Sequence, residues 1–288
     1  MVDHSKDKYA FLAALRPFSF PVALIACGTG ISLAWVEGYQ SLGSMLAIFL
    51  GGLLLQAGVN LINDYSDLTQ VQSLTHAQQS AIRRNFKAGL GCFAVATLIG
   101  LGFVYQVGLA FALLCVVGLV GALGYTLQPV NYKSRGLGVV LVFWLMGVLM
   151  ISGSYVAMGG LLSAQVIWLS IPVSLLVSQL LLSNELRDFE ADKRLNIHTL
   201  VVKMGYQNGV KLYQFLLAAV ALSVLILAVA FQSIGLLLAL LSFILVPSLL
   251  KLLNQPAEAR RPLTPSTGRL LMVFGVLFNT GILFSLNG

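Results

Sequence analysis

Asn60-Leu61-Ile62-Asn63-Asp64-Tyr65-Ser66-Asp67 closes an apolar run that begins near residue 44. Asn184-Glu185-Leu186-Arg187-Asp188-Phe189-Glu190-Ala191-Asp192 closes another that begins near residue 165. Six of the ten acidic residues of the chain lie in these two islands: Asp64, Asp67, Glu185, Asp188, Glu190 and Asp192. Taking a carboxylate out of water is costly, so acids at the ends of lipid-soluble helices mark a functional site by default.

The surroundings of the islands are lipid-soluble throughout. The 288 residues are 58% hydrophobic and 9% charged, with a mean hydropathy of +0.90. A soluble domain carries about 25% charged residues, so the composition predicts an all-α, polytopic membrane protein. Runs long enough to cross a bilayer fall near 14–36, 44–64, 89–107, 109–127, 137–157, 165–186, 212–231, 233–251 and 269–286. Nine helices around a central cavity are expected. No linker or composition shift divides residues 1–288, which read as one transmembrane domain. The glycine pairs Gly28/Gly30, Gly51/Gly52 and Gly147/Gly153 suit close helix contacts, and neither GxGxxG nor GxxxxGK[ST] occurs. Cys27, Cys92 and Cys115 all lie in apolar runs at spacings that match no metal or redox motif, so they read as small packing residues.

The basic residues settle sidedness. All 17 Lys and Arg residues fall in the N-terminal segment or after spans two, four, six and eight. The loops near 37–43, 108, 158–164 and 232 carry none. Positive-inside placement then puts the N-terminus in the cytoplasm and the C-terminus outside, which an odd number of spans requires. The net charge of +7 is scattered through short loops, the membrane pattern, and does not form the basic face that nucleic acid needs. Residues 1–9 are polar and mixed in charge, unlike a secretory leader. A multi-pass protein of a bacterial inner membrane is the expectation. Both islands fall on its cytoplasmic side, each followed by a long polar loop, about 65–88 and 187–210.

At roughly 100° per residue, Asn60, Asn63, Asp64 and Asp67 share one helical face, and so do Asn184, Asp188 and Asp192. Glu190 fits neither stripe and is expected to be solvated. Mg²⁺ takes oxygen ligands, one or two carboxylates together with substrate phosphate. Two such stripes facing one cavity would hold Mg²⁺ and a diphosphate, with Arg16, Lys133, Arg135 and Arg187 available to offset the acids. The plain alternative is that these acids terminate helices in headgroup water. Three polar residues lie inside spans, Gln56, Gln179 and Asn279. Each either contacts a substrate ring or hydrogen-bonds between helices.

These residues resemble the UbiA superfamily of intramembrane aromatic prenyltransferases. The resemblance is carried by Asn63-Asp64-Tyr65-Ser66-Asp67 and by Asn184-x3-Asp188-x3-Asp192, and it spans most of the chain. Arg16-Pro17, Tyr125-Thr126, Lys133-Ser134-Arg135-Gly136-Leu137-Gly138 and Thr199-Leu200-Val201-Val202-Lys203-Met204-Gly205 look like the branch acting on 1,4-dihydroxy-2-naphthoate in menaquinone synthesis. The resemblance implies Mg²⁺ held by Asp64, Asp67, Asp188 and Asp192 and binding a polyprenyl diphosphate, with Asn60, Asn63 and Asn184 orienting it. Arg16, Lys133, Arg135 and Arg187 would contact phosphate or a substrate carboxylate, and Tyr125 would stabilise an allylic cation or anchor at the interface. The family's further first-motif Asp is replaced by Val71 or Ser73, and a Lys expected after the second motif is absent from Asn196-Ile197-His198-Thr199. The same fold with another acceptor (4-hydroxybenzoate, a porphyrin or a lipid), a degenerate homologue and a transporter are the competing readings. Acids at span ends on one side favour diphosphate chemistry over transport, whose sites lie near the bilayer midplane.

Overall fold

The computed structural model describes residues 8–71, 74–126 and 132–285, and for Thr69, Gln70, Ala110, Tyr125, Thr126, Lys133, Ser134 and Ser285 the backbone alone. Nine long helices follow one another among the described residues: α1 (Phe20–Val36), α2 (Leu42–Ile62), α3 (His76–Val107), α4 (Leu109–Thr126), α5 (Gly138–Ala157), α6 (Ala164–Arg194), α7 (Tyr206–Ala230), α8 (Ile234–Leu253) and α9 (Leu263–Ser285). Eight helices are long and apolar enough to cross a bilayer, the first counted from Phe11 through α1, and α4 carries a shorter apolar stretch, Phe111–Gly124.

Each span read from hydropathy has its helix, but the ends differ. Instead of a loop over 65–88, a 3-10 turn (Asn63–Ser66) and a helical turn (Asp67–Gln70) follow α2, and α3 has started by His76. Thr75 and Gln78 form a reciprocal capping box there, with Thr75 Oγ1 accepting from Gln78 N at 3.2 Å and Gln78 Oε1 from Thr75 N at 2.9 Å. Instead of a loop over 187–210, α6 continues to Arg194, and Leu200–Met204 is helical again. Hydropathy marks where the apolar stretch stops; a helix rich in Gln, Arg and Lys continues beyond it.

Helices α1 and α6 occupy the middle. The first packs on α2, α5 and α9, and the second on α5, α7 and α9. Small residues set these approaches. A Cβ on Gly30 would lie 2.3 Å from the Ile151 carbonyl oxygen, one on Gly52 would lie 2.5 Å from Cys27 Sγ, and one on Gly147 would lie 2.4 Å from Ser174 Oγ. Gly153, grouped with them by sequence, meets nothing within 4 Å; it faces the cavity. The α5 backbone widens into π turns over Phe143–Leu149, where Gly147 presses on α6.

Helices α1 to α6 all contribute to the wall of one cavity of about 440 Å³, and α7 to α9 contribute none of it. Most of the wall is apolar, with Cys27 and Cys115 among its side chains. Its polar members are Arg16, Gln56, Asn60, Asn63 and Asn184 beside a few small residues.

Candidate functional site

The charged end of the cavity is assembled by the chain before α1. Phe11–Ala14 forms one helical turn, and Arg16 then reverses the direction in the left-handed region (φ 49°, ψ 64°). Pro17 follows, and a residue before proline is kept out of the right-handed helical region. The carbonyl of Arg16 accepts from both the backbone N–H and the hydroxyl of Ser19, each at 2.9 Å. This reversal aims the Arg16 guanidinium at the end of α2, where Nη2 donates to Asp64 Oδ1 at 2.9 Å.

Asp64 and Asp67 are both buried. The Lys8 ammonium donates to Asp67 Oδ2 at 2.8 Å and lies 3.8 Å from Asp64 Oδ1, so one cation bridges the two carboxylates. The Tyr9 hydroxyl donates to the same Asp67 oxygen at 3.0 Å, and Asn85 of α3 holds the Tyr9 carbonyl at 3.0 Å. Burial first, then the charge and hydrogen bond of Asp67, push the Tyr9 phenol above its ordinary range.

Behind these acids lies an amide network. Asn60 Nδ2 donates to the Leu15 carbonyl at 2.7 Å and to Ser19 Oγ at 2.8 Å. Gln56 Nε2 donates to Ser19 Oγ at 3.0 Å and to Asn60 Oδ1 at 3.5 Å. Gln56 Oε1 has no partner among the described residues. Asn63 is buried on the cavity wall beside this network.

The second island is divided. Asn184 lines the same cavity as Asn60 and Asn63, with its Oδ1 buried and without a hydrogen-bond partner. Asp188 does not continue that stripe into the cavity. Its two oxygens take Arg187 Nε at 2.8 Å and Nη2 at 2.6 Å, and it lines a neighbouring cleft with Arg187, Arg194 and Arg261. The adjacent guanidinium turns the carboxylate sideways, a bidentate pairing that helical pitch alone does not reveal. Arg187 also stacks over the Phe18 ring at 5.9 Å, which brings this island against the segment that serves the first. Asp192 is half-buried at the end of α6, and its carbonyl accepts from Ile197 N at 2.9 Å.

Other expected residues fall elsewhere. Glu190, expected to be solvated, pairs with Arg260, a guanidinium only 3% exposed that lies 4.3 Å from the Tyr206 ring. Glu185 is buried and accepts from Val201 N at 3.1 Å, at the start of the Leu200–Met204 helix. Arg135 is exposed, and its carbonyl accepts from Lys203 Nζ at 2.7 Å, which ties the turn after α4 to the Leu200–Met204 helix. Lys133 and Tyr125 keep their backbones at the end of α4 and in the turn after it, and their side chains lie outside the described residues. Of the polar residues inside spans, Gln56 reaches the cavity. Asn279 instead accepts from Thr29 at 2.8 Å between α9 and α1. Gln179 is fully buried away from the cavity wall.

Sequence reasoning counted Lys8 only as a marker of sidedness and gave Tyr9, Ser19 and Asn85 no part. Lys8 and Asp67 are 59 residues apart, so no periodicity links them.

Mg²⁺ suits the first island on its donor chemistry. Two carboxylates converge on one cation, the Lys8 ammonium, and Mg²⁺ asks for one or two carboxylates plus substrate phosphate. Among the described residues no group of three or more His, Cys, Asp and Glu side chains converges.

The chain is 29% identical to 1,4-dihydroxy-2-naphthoate octaprenyltransferase of Haemophilus influenzae, over 93% of this chain and 94% of that protein. It is also 29% identical to the enzyme of the same name from Escherichia coli, over 96% of each. UbiA prenyltransferase domain-containing protein 1 of Dictyostelium discoideum is 27% identical over 96% of this chain and 87% of its own length. In fold, the chain matches a UbiA homolog from Archaeoglobus fulgidus bound to GPP and Mg²⁺, with a TM-score of 0.59, 13% identity, and coverage of 93% of this chain and 99% of the other. The Cd²⁺-bound structure of that homolog gives a TM-score of 0.62 at 14% identity, covering 93% and 98%. The UbiA prenyltransferase family model matches residues 22–265, from α1 through the start of α9 and across both acidic islands, so the chain belongs to the UbiA prenyltransferase family.

Proposed function

We propose that this intramembrane prenyltransferase moves a polyprenyl group from its diphosphate to an aromatic acceptor, 1,4-dihydroxy-2-naphthoate, as a step of menaquinone synthesis. The observation that carries the reading is the cavity itself: a long apolar wall ending in Arg16, Asn60, Asn63 and Asn184, next to Asp64 and Asp67. A polyprenyl diphosphate has the same division, a greasy tail and a compact polyanion. The volume of about 440 Å³ lies within the ~300–1,000 Å³ of small-molecule sites. The named naphthoate prenyltransferases among the relatives support this acceptor over 4-hydroxybenzoate, a porphyrin or a lipid.

Asp64 and Asp67 would hold Mg²⁺, with Asp188, once freed from Arg187, and Asp192 completing the set, and the metal would supply Lewis-acid neutralisation of the leaving diphosphate. The protein's own groups do the rest. Arg16, which already donates to Asp64, and Arg187 donate to phosphate or to the acceptor carboxylate. Tyr125, at the end of α4, would stabilise the allylic cation, and Lys133 and Arg135, in the turn after it, would contact phosphate or the acceptor carboxylate. Asn60, Asn63 and Asn184 orient the diphosphate. The apolar wall excludes water from the allylic cation. The C–O bond to diphosphate breaks, and the ring carbon bearing the carboxylate bonds to the prenyl carbon. The carboxylate leaves as CO₂, its electron pair restoring the aromatic ring, so no external proton or oxidant is required. The reading places both islands on the cytoplasmic side of a bacterial inner membrane, with the C-terminus outside.

The test is prenyl transfer by purified protein in detergent with Mg²⁺, a polyprenyl diphosphate and, in parallel, 1,4-dihydroxy-2-naphthoate and 4-hydroxybenzoate. A decarboxylated prenyl-naphthoquinol, lost in Asp64→Ala and Asp188→Ala, is expected. Product from 4-hydroxybenzoate alone would refute the assigned acceptor.

A further inference from the structure

Gln56 is 3% exposed, lines the cavity, and leaves Oε1 without a partner. A buried polar atom without a partner costs stability unless something meets it. The orientation of this amide is fixed by its neighbours. Ser19 Oγ spends its proton on the Arg16 carbonyl and accepts from Asn60 Nδ2 and from Gln56 Nε2. Asn60 uses its own Nδ2 on Leu15 and Ser19, which leaves Oδ1 to accept from Gln56. Turning the Gln56 amide over would set its oxygen against an oxygen of Asn60 and a hydroxyl with no proton left to give. The free atom is therefore a hydrogen-bond acceptor, and what meets it must be a donor.

Of the two proposed substrates, only one has a donor to offer. A prenyl tail has none, and diphosphate oxygens are acceptors like Oε1 itself. Magnesium held at Asp64 is out of reach, because Gln56 lies eight residues earlier on α2, about 12 Å along the helix axis. A dihydroxyarene carries two O–H groups. The hydroxyl next to the carboxylate is engaged by it internally, so the remote one is free to donate.

We propose, resting on the function assigned above, that Gln56 is a specificity-determining residue whose side-chain oxygen accepts the acceptor hydroxyl remote from the carboxylate. The ring then enters with its carboxylate toward Arg16 and its far hydroxyl toward Gln56, about one helical turn away across the ring. The site selects para-dihydroxylated acceptors over monohydroxylated ones of the same outline. The monohydroxylated ring would leave Oε1 buried and unmet, which is what penalises it.

The test is equilibrium binding by naphthoate fluorescence to the full chain in detergent, with no prenyl diphosphate present. The probes are 1,4-dihydroxy-2-naphthoate and 1-hydroxy-2-naphthoate, with geranyl diphosphate plus Mg²⁺ bound separately as a control. Wild type is expected to favour the dihydroxy compound by about 10–100-fold. Gln56→Met is expected to bind both naphthoates alike, at the weaker level, with geranyl diphosphate affinity unchanged. A Gln56→Met protein that keeps the discrimination, or weakens both naphthoates equally, would overturn the proposal, since loss of packing alone shifts both. Equal affinity of wild type for the two compounds overturns it without any variant. If wild type binds neither naphthoate, the assigned acceptor falls and this inference with it. If wild type binds and prenylates the dihydroxy compound while Gln56→Met discriminates as before, only the role of Gln56 falls.

Discussion

Arg16 combines two features that a pair of substitutions separates. Its backbone is left-handed at φ 49°, a conformation that costs a residue with a Cβ about 1–2 kcal/mol. Its guanidinium is a direct partner of Asp64, whose side chain is 7% exposed. Arg16→Ala removes the guanidinium and keeps the strain, whereas Arg16→Gly removes both. Losing the charged hydrogen bond costs about 1–3 kcal/mol, moderated because Lys8 remains 3.8 Å from Asp64. That loss is common to both variants and cancels in their comparison. Glycine regains the ~1–2 kcal/mol of strain but gives back about 0.4–1 kcal/mol to the entropy of the unfolded chain. The expected outcome is that Arg16→Gly is more stable than Arg16→Ala by about 0.5–1 kcal/mol. At about 2–4 °C per kcal/mol for a chain of this size, that is a gap of about 1–4 °C between thermal midpoints in detergent. Prenyl transfer should fall to the same low level in both. Equal midpoints, or a more stable alanine variant, would refute the left-handed reversal. Undiminished transfer in either would refute a working guanidinium.

The Tyr9 phenol should titrate above its ordinary value, followed as the 295 nm absorbance difference between wild type and Tyr9→Phe. Because the folded-state value is raised, the contribution of Tyr9 to holding the N-terminal segment is complete below about pH 10 and is lost only as pH climbs from there through the raised value. Asp67→Asn should bring that titration down, and no movement would deny the Tyr9–Asp67 contact. Gly147→Ala should lower the thermal midpoint by the equivalent of about 1–3 kcal/mol, since its methyl would fall 2.4–2.7 Å from Ser174. Gly91→Ala, with nothing within 4 Å, should be neutral or gain up to about 1 kcal/mol from helix propensity; matching midpoints would contradict the α5–α6 contact. Glu190→Gln should destabilise by about 1 kcal/mol or more by leaving the buried Arg260 cation without its counter-charge. Arg260→Met placed on top should restore part of the loss, and strict additivity in a double-mutant cycle would show that the two do not interact.

Spans were legible because a bilayer imposes a length and a composition on anything that crosses it, and all nine apolar runs became helices. Helix ends were less so, since Gln78, Arg83 and Lys87 belong to α3 although hydropathy assigns them to a loop. The amide stripes Asn60–Asn63 and Asn184 were legible from pitch, and they meet on one cavity wall. Pitch did not foresee that Asp188 turns to its neighbour Arg187, because the direction of a side chain at a helix end depends on its rotamer. Glu190 keeps 43% of its side chain exposed, in line with the solvated reading, but its pairing went unread for a related reason: its partner Arg260 is 70 residues away, in the loop before α9. Pairings made by tertiary packing, such as Lys8 and Tyr9 with Asp67, leave no local signature at all.

The bridging position of Lys8, with Arg16 beside it, bears on the life of the protein before any substrate arrives. Zinc fingers and many other small metallo-domains stay unfolded until metal is supplied, because metal binding provides their folding free energy. Here Asp64 and Asp67 hold resident cations already, so a newly inserted chain does not bring unpaired carboxylates into the bilayer. Its assembly is uncoupled from the cell's supply of divalent ions. On the Mg²⁺ dependence proposed above, metal scarcity would leave the protein intact and idle rather than degraded, and restored supply would recover activity without new synthesis.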